Sequence, residues 1–134
     1  MLQKKLSYLL ISLFIGMPVA LAQGPDTSQN IETYRVIGPE FPGVYKHPAA
    51  ITELTNGDLY IAYYGGAGEY DEGTAVYGMR LSAAPNTWSE PEVIANTPGR
   101  GDGNPVVWQA PDGVVWLFYN TQYGITWSEA RVKG

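Results

Sequence analysis

Two stretches of this chain carry the same strand–turn–strand pattern, and that recurrence limits the folds open to it more than any single motif. HPAAITELTNGDLYIAYY (residues 47–64) and NPVVWQAPDGVVWLFYN (104–120) each place an apolar run, a Gly-centred turn and a second apolar run in that order. Pro48 and Pro105 stand as equivalent anchors. Asn56-Gly57 and Asp112-Gly113 are the equivalent turns, in register to within one residue. Asn-Gly between apolar runs is a strong hairpin signal, because tight hairpins need positive φ at positions that these residues tolerate. The second strands, DLYIAYY and VVWLFYN, are apolar on successive rather than alternate residues, which predicts cover on both faces.

The remaining segments extend this unit. TYRVIG (33–38) reads as a first strand broken by PEFPG, and AAITEL (49–54) turns into LYIAYYG. GGAGEYDEG (65–73) reads as a Gly-rich acidic loop, TAVYGMRLS (74–82) as a third strand, and APNTWSEPEVIAN (84–96) as a turn into a fourth. After TPGRGDG the order begins again. Pro or Gly interrupts the chain nearly every ten residues from Gly24 onward, so no later window sustains a helical apolar period for three turns. A content of 16 Gly, 10 Pro, 10 Tyr and 4 Trp suits short strands joined by tight turns. The expected fold class is all-β. A four-stranded unit, repeated and covered on both faces, predicts a β-propeller, with a two-sheet sandwich as the competing arrangement.

The first 22 residues read as separate from the fold. A short basic region, MLQKK, precedes the apolar run LSYLLISLFIGMPVALA, and Ala20-Leu21-Ala22 supplies the small-x-small pattern of a signal-peptidase site. A signal peptide over 1–22, cut after Ala22, implies a secreted or periplasmic protein with no membrane association after cleavage. A membrane anchor is the competing reading of the same run, against which stand Pro18 and the polar QGPDTSQN that follows. The chain has no Cys, so stability outside the cell must come from burial rather than disulfides. Loss of Lys4 and Lys5 with the leader takes the net charge from −5 to −7. An acidic chain without a basic cluster excludes nucleic acid and anionic membranes as partners. One His and no Cys leave no transition-metal site to propose, and no cofactor is expected.

The run from Tyr45 to Ile94 resembles the first blade of the sialidase (neuraminidase) superfamily, the BNR or Asp-box repeat proteins. In that family a Tyr-Arg-Ile-Pro motif opens a strand, a Gly-centred turn and an acidic loop follow, and a strand ending in Arg-Ser leads into the Asp box. Asn56-Gly57-Asp58-Leu59 matches the turn, and Arg80-Leu81-Ser82 approximates the Arg-Ser. SAAPNTW (82–88) is a worn Asp box, one residue short and without its Asp, and Trp88-Ser89-Glu90-Pro91 is the usual exit. Asn104-Pro105-Val106, Pro111-Asp112-Gly113 and Trp116-Leu117-Phe118-Tyr119 are similar to a second blade. Family members are six-bladed propellers, so the resemblance implies the N-terminal portion of one, about two blades of six. The expected layout is a leader and first strand over 23–44, then a propeller region over 45–134. Blade one would span about 45–96 and a partial blade two about 103–134. GITWSEARVKG reads either as another worn Asp box or as a third strand with Arg131 standing where Arg80 stands. The second is preferred, because the preceding loop is too short for a full strand.

Sialidases, by the same resemblance, hold the substrate carboxylate with an Arg triad and pair a carboxylic-acid acid/base with a Tyr nucleophile. A planar guanidinium grips a carboxylate with two bonds, an acid of raised pKa protonates the leaving oxygen, and a Tyr nucleophile is an exception among glycosidases. His47, beside Lys46, falls where the first Arg belongs, so it is a candidate substrate-binding residue without a permanent bidentate cation. A hydrogen-bonded strand histidine is an equal reading. Asp71 is the candidate acid/base, in a loop shared with Glu69 and Glu72; a plain solvated acidic loop is the alternative. Glu72 and Arg80 complete the candidate substrate-binding set. Trp88, Trp108, Trp116 and Trp127 could stack on sugars, though strand tryptophans more often pack between blades. Arg100-Gly101-Asp102 reads as a turn-rich connector rather than an adhesion motif. The expected ligand is a glycan, and three roles stay open: a truncated exo-glycosidase inactive alone, a non-catalytic carbohydrate-binding module, or a propeller part that self-associates through open blade edges.

Overall fold

Hairpin chemistry sets the strand pairing. At Leu54-Thr55-Asn56-Gly57-Asp58, the Leu54 N–H donates to Asp58 O (2.8 Å) and the Gly57 N–H to Leu54 O (2.8 Å). Ala110-Pro111-Asp112-Gly113-Val114 repeats the pattern at 2.8 and 2.9 Å. Gly57 and Gly113 take φ of 84° and 89°, a region closed to most side chains. The side chains of Asn56 and Asp112 each accept from the N–H two residues on, at 3.2 and 3.1 Å. Each turn therefore stabilises itself locally before its strands meet.

The computed structural model describes residues 33–134, of which Arg35–Gly134 form one compact unit. The signal peptide expected over 1–22 and the leader up to residue 32 lie outside the described residues. Eight strands follow in order: β1 (Tyr45–Glu53), β2 (Leu59–Gly66), β3 (Ala75–Ser82), β4 (Thr87–Trp88), β5 (Glu92–Ala95), β6 (Asp102–Gln109), β7 (Val115–Gln122) and β8 (Ala130–Lys133). One turn of 3₁₀ helix, Trp127–Glu129, precedes β8. Described residues are thus all-β, as the turn spacing predicts. All pairings are antiparallel. The first sheet runs β1-β2-β3, with β4 and β5 sharing the outer edge of β3, and the second runs β6-β7-β8.

The strand expected at 33–38 does not form. Residues 33–44 hold no strand, and pairing begins at Tyr45 opposite Gly66. Pro39 and Pro42 lack the N–H that a ladder needs, and Gly38 and Gly43 break the run further. β1 instead starts four residues before the expected AAITEL, through a bulge at His47-Pro48 opposite Tyr64. β6 has the same bulge at Asn104-Pro105 opposite Tyr119. Both prolines sit where the ladder skips a bond, which is where a strand admits them.

The final stretch forms a third strand, β8, as preferred from sequence, but its register differs from the one expected. Arg131 lies opposite Thr121, whereas Arg80 lies opposite Tyr60, the counterpart of Trp116. Arg131 therefore corresponds to Ala75, at the start of its strand, and does not stand where Arg80 stands. The reason is that the 3₁₀ turn delays pairing until Ala130 meets Gln122.

The two sheets stack with strand β6 against β1, β2 and β3. Ala62, Tyr64 and Val76 from the first sheet bury against Val107, with Tyr60, Ile94, Leu117 and Tyr119 closing the layer. A buried carboxylate ties the layers at one end. Asp102 is 1% exposed; its Oδ1 accepts from Thr121 Oγ1 (2.6 Å) and its Oδ2 from the Thr97 N–H (2.6 Å), while its own N–H donates to Thr74 O (2.8 Å). The Arg-Gly-Asp tripeptide is thereby a connector with its acid sequestered. β2 is buried on both faces, as its apolar run predicts. β7 is not, because Trp116 and Phe118, stacked on each other at 6.0 Å, remain 42% and 39% exposed beside Val106 and Trp108.

Candidate functional site

Antiparallel order gathers one set of loops at one end of both sheets. β1 and β6 start there, β2 and β7 finish there, and the β2–β3 loop, the β5–β6 connector and the β7–β8 loop lie between them. The bulge at His47 turns that residue outward, and its imidazole is exposed. The ring meets Tyr45 (6.3 Å, 62°) and Tyr64 (6.2 Å, 83°) edge-on. Edge-to-face contacts of this kind fix an aromatic ring's orientation and contribute about 0.5–1.5 kcal/mol beyond area burial.

Beneath His47, Tyr64 is fully buried, and its hydroxyl donates to Glu69 Oε1 (3.3 Å). Burial first, then the neighbouring Tyr45 hydroxyl and the Glu69 carboxylate, push the Tyr64 phenol well above its ordinary pKa. It stays protonated across the physiological range as a fixed donor that holds Glu69 in place. The next residue, Tyr70, lies against Trp127 (5.4 Å), joining the β2–β3 loop to the β7–β8 loop. Tyr45, His47, Tyr70 and Trp127, with Tyr64 buried beneath them, thus place an aromatic surface next to a carboxylate.

Asp71 and Glu72 lie in the same loop but do different things. The Asp71 side chain accepts from the Gly73 N–H (2.8 Å), its N–H donates to Gly68 O (3.3 Å), and its carbonyl accepts from the Thr74 N–H (3.0 Å). This carboxylate shapes its own loop. Gly101 packs on it so closely that a Cβ there would lie 2.8 Å from Asp71 O. Glu72 is exposed and lines a cleft of about 220 Å³ together with Tyr70, Arg100, Gly101, Gln122 and Ile125.

Arg80 is not with the others. It sits five residues along β3 from Ala75, about 17 Å away at the usual rise per strand residue, near the hairpin turn at the opposite end of the sheet. Its guanidinium is paired to Asp58, with Nε donating to Oδ2 at 2.6 Å and a second nitrogen at 2.5 Å. Asp58 also accepts from the Ala83 N–H (2.8 Å) and from Asn56 Nδ2 (3.0 Å). The Ala83 hydrogen bond, with those from Asn56 and Arg80, outweighs burial and holds the Asp58 carboxyl below its ordinary pKa. Arg80 is a clasp between the β1–β2 turn and β3. The structure therefore brings His47, Asp71 and Glu72 to one end and separates Arg80 from them.

Sequence reading did not single out Tyr45, Tyr64, Tyr70 or Gln122. The bulge prolines were the available signal, because a proline that interrupts a ladder reorients the residue before it. The SAAPNTW stretch forms the hairpin from β3 to β4, with Ser82 opposite Thr87 and Leu81 opposite Trp88, at the Arg80 end.

The fold and this arrangement define an all-β protein of antiparallel, repeated sheets with its aromatic and acidic side chains collected where the strands of each repeat begin. The family model for the BNR repeat-like domain matches residues 57–133. The chain belongs to that family, in line with the sialidase-type resemblance of its turns and strand order. Comparison with curated proteins and with solved structures finds no match.

Proposed function

We propose that this chain is an exported glycan-binding protein of the sialidase type, whose two sheets are blades of a β-propeller and which does not hydrolyse glycans on its own. The observation that carries the reading is the surface formed by His47, Tyr45, Tyr70 and Trp127 beside Glu69, Asp71 and Glu72. Aromatic faces next to carboxylates suit the alternating apolar and hydroxyl faces of sugars. The propeller reading draws on how the sheets stack. Tyr60, Ala62 and Tyr64 face the second sheet, and their counterparts 56 residues on are Trp116, Phe118 and Asn120. The outer face of the second sheet is thus the repeat-equivalent of a covered face. That is the relation expected where a further sheet follows in a ring.

Absence of turnover follows from the chemistry present at this end. The position of the first carboxylate-binding Arg carries His47, the Arg80 guanidinium is committed to Asp58 at the far end, and one Asp71 carboxylate oxygen is engaged by the Gly73 N–H of its own loop. A glycan array probed with the full chain, run beside a sugar-release assay, tests the proposal. Binding without release is expected. Failure to bind any glycan removes the reading, and release of a sugar overturns its non-catalytic part.

A second reading, self-association, is favoured by the uncovered face of Val106, Trp108, Trp116 and Phe118, all between 39% and 54% exposed. Contiguous apolar surface of this kind marks association sites. Sizing of the purified chain separates the readings, since a strict monomer excludes the second.

A further inference from the structure

Gln122 ends β7, pairs with Ala130 and donates its backbone N–H to Gly101 O (2.9 Å). Its side chain is 4% exposed, and among the described residues neither Nε2 nor Oε1 makes a hydrogen bond. Leaving a buried polar group unpaired costs about 1–3 kcal/mol, so such groups persist where a partner arrives from outside the chain or where function retains them. The repeat does not require this amide. Its counterpart at the end of β2 is Gly66, where any Cβ would collide with Thr74.

Gln122 lines the cleft of about 220 Å³ between the β2–β3 loop, the β5–β6 connector and the β7–β8 loop. Glu72 and Arg100 line it too, one charge of each sign, so the cleft carries no single-sign field that would select an ion. Arg100 is also held, stacked 4.8 Å over the Tyr123 ring with a nitrogen donating to Tyr123 O (3.4 Å). A carboxamide presents two donor hydrogens beside an acceptor oxygen. Its complement is an acceptor beside a donor, which two hydroxyls on neighbouring carbons supply. The volume lies below the roughly 300–1,000 Å³ of sites for drug-sized ligands, which suits one sugar ring rather than an oligosaccharide.

We propose that this cleft takes a single pyranose ring of a neutral glycan, with the Gln122 amide, closed to solvent when nothing is bound, turning into the cleft to hydrogen-bond a vicinal hydroxyl pair. The inference rests on the glycan reading above and adds to it a cleft that adjoins that surface, sharing Tyr70 and Glu72 with it, and a named residue. The test titrates the full chain, labelled with ¹⁵N-glutamine, with galactose, glucose and N-acetylglucosamine. The side-chain amide signals of Gln122 shift saturably with at least one of these sugars, and Gln122→Leu weakens that affinity at least tenfold. If Gln122→Leu fails to fold, the wild-type amide signals alone decide. Saturable sugar binding that leaves those signals unmoved overturns the cleft and leaves the glycan reading standing. Binding of no sugar here and no glycan on the array overturns both.

Discussion

Asp102 offers the sharpest test of how the two sheets are held. Its carboxylate is 1% exposed and accepts two short bonds, one from Thr121 Oγ1 and one from the Thr97 N–H, both 2.6 Å. Asp102→Ala removes both and strands the Thr97 N–H without a carboxylate. Hydrogen bonds to charged groups contribute about 1.5–3 kcal/mol each, so the expected loss of two is about 3–6 kcal/mol. A unit of this size has about 5–15 kcal/mol in total, so the variant falls close to the margin. Asp102→Asn keeps an oxygen for Thr97 and can turn its amide toward Thr121 Oγ1, so it should lose only about 1 kcal/mol. Urea unfolding followed by tryptophan fluorescence measures both. A loss of about 3 kcal/mol also lowers the thermal midpoint by about 12 °C or more. Thr121→Val combined with Asp102→Ala should cost less than the sum of the single changes, because the two share a bond. Asp102→Ala within about 0.5 kcal/mol of wild type, or Asp102→Asn as costly as Asp102→Ala, would show that the Asp102 carboxylate does not tie the two sheets.

Two further outcomes follow from the same contacts. Hydrogen bonds from Ala83, Asn56 and Arg80 hold the Asp58 carboxyl below its ordinary pKa, so its stabilising effect is complete above that ordinary value and is lost as pH falls through the folded one. Asp58→Asn should flatten the acid side of the stability curve below about pH 4, as read from urea midpoints across pH; an unchanged acid slope contradicts the clasp. Replacing the stacked pair Trp116 and Phe118 with Ser should reduce self-association in sedimentation velocity while leaving the first sheet's core intact, and undiminished association would place the contact elsewhere.

The strand order was legible because its signals are local. Asn56-Gly57 and Asp112-Gly113 write their own turns, and the apolar runs on either side have one sensible pairing. What was not legible depended on register and partners. TYRVIG has strand-like residues yet meets no partner strand, and a strand exists only as half of a pair. The prolines at 48 and 105 read as anchors ahead of their strands, but the chain already pairs before each of them and passes through a bulge. Arg80 looked like a substrate ligand because the motif order put it after the acidic loop. Only the antiparallel register shows that it lies at the other end of β3 from that loop. Gln122 could not be noticed at all until alignment of the two sheets set it against Gly66.

On the proposed function, glycans are held where β1 and β6 begin and not at the Arg80 end. Binding of the full chain to its best array glycan, compared among wild type, His47→Ala and Arg80→Ala, tests this most directly. At least a tenfold loss is expected with His47→Ala and unchanged affinity with Arg80→Ala, provided both variants keep the wild-type circular dichroism spectrum. Affinity that survives His47→Ala and disappears with Arg80→Ala would contradict it.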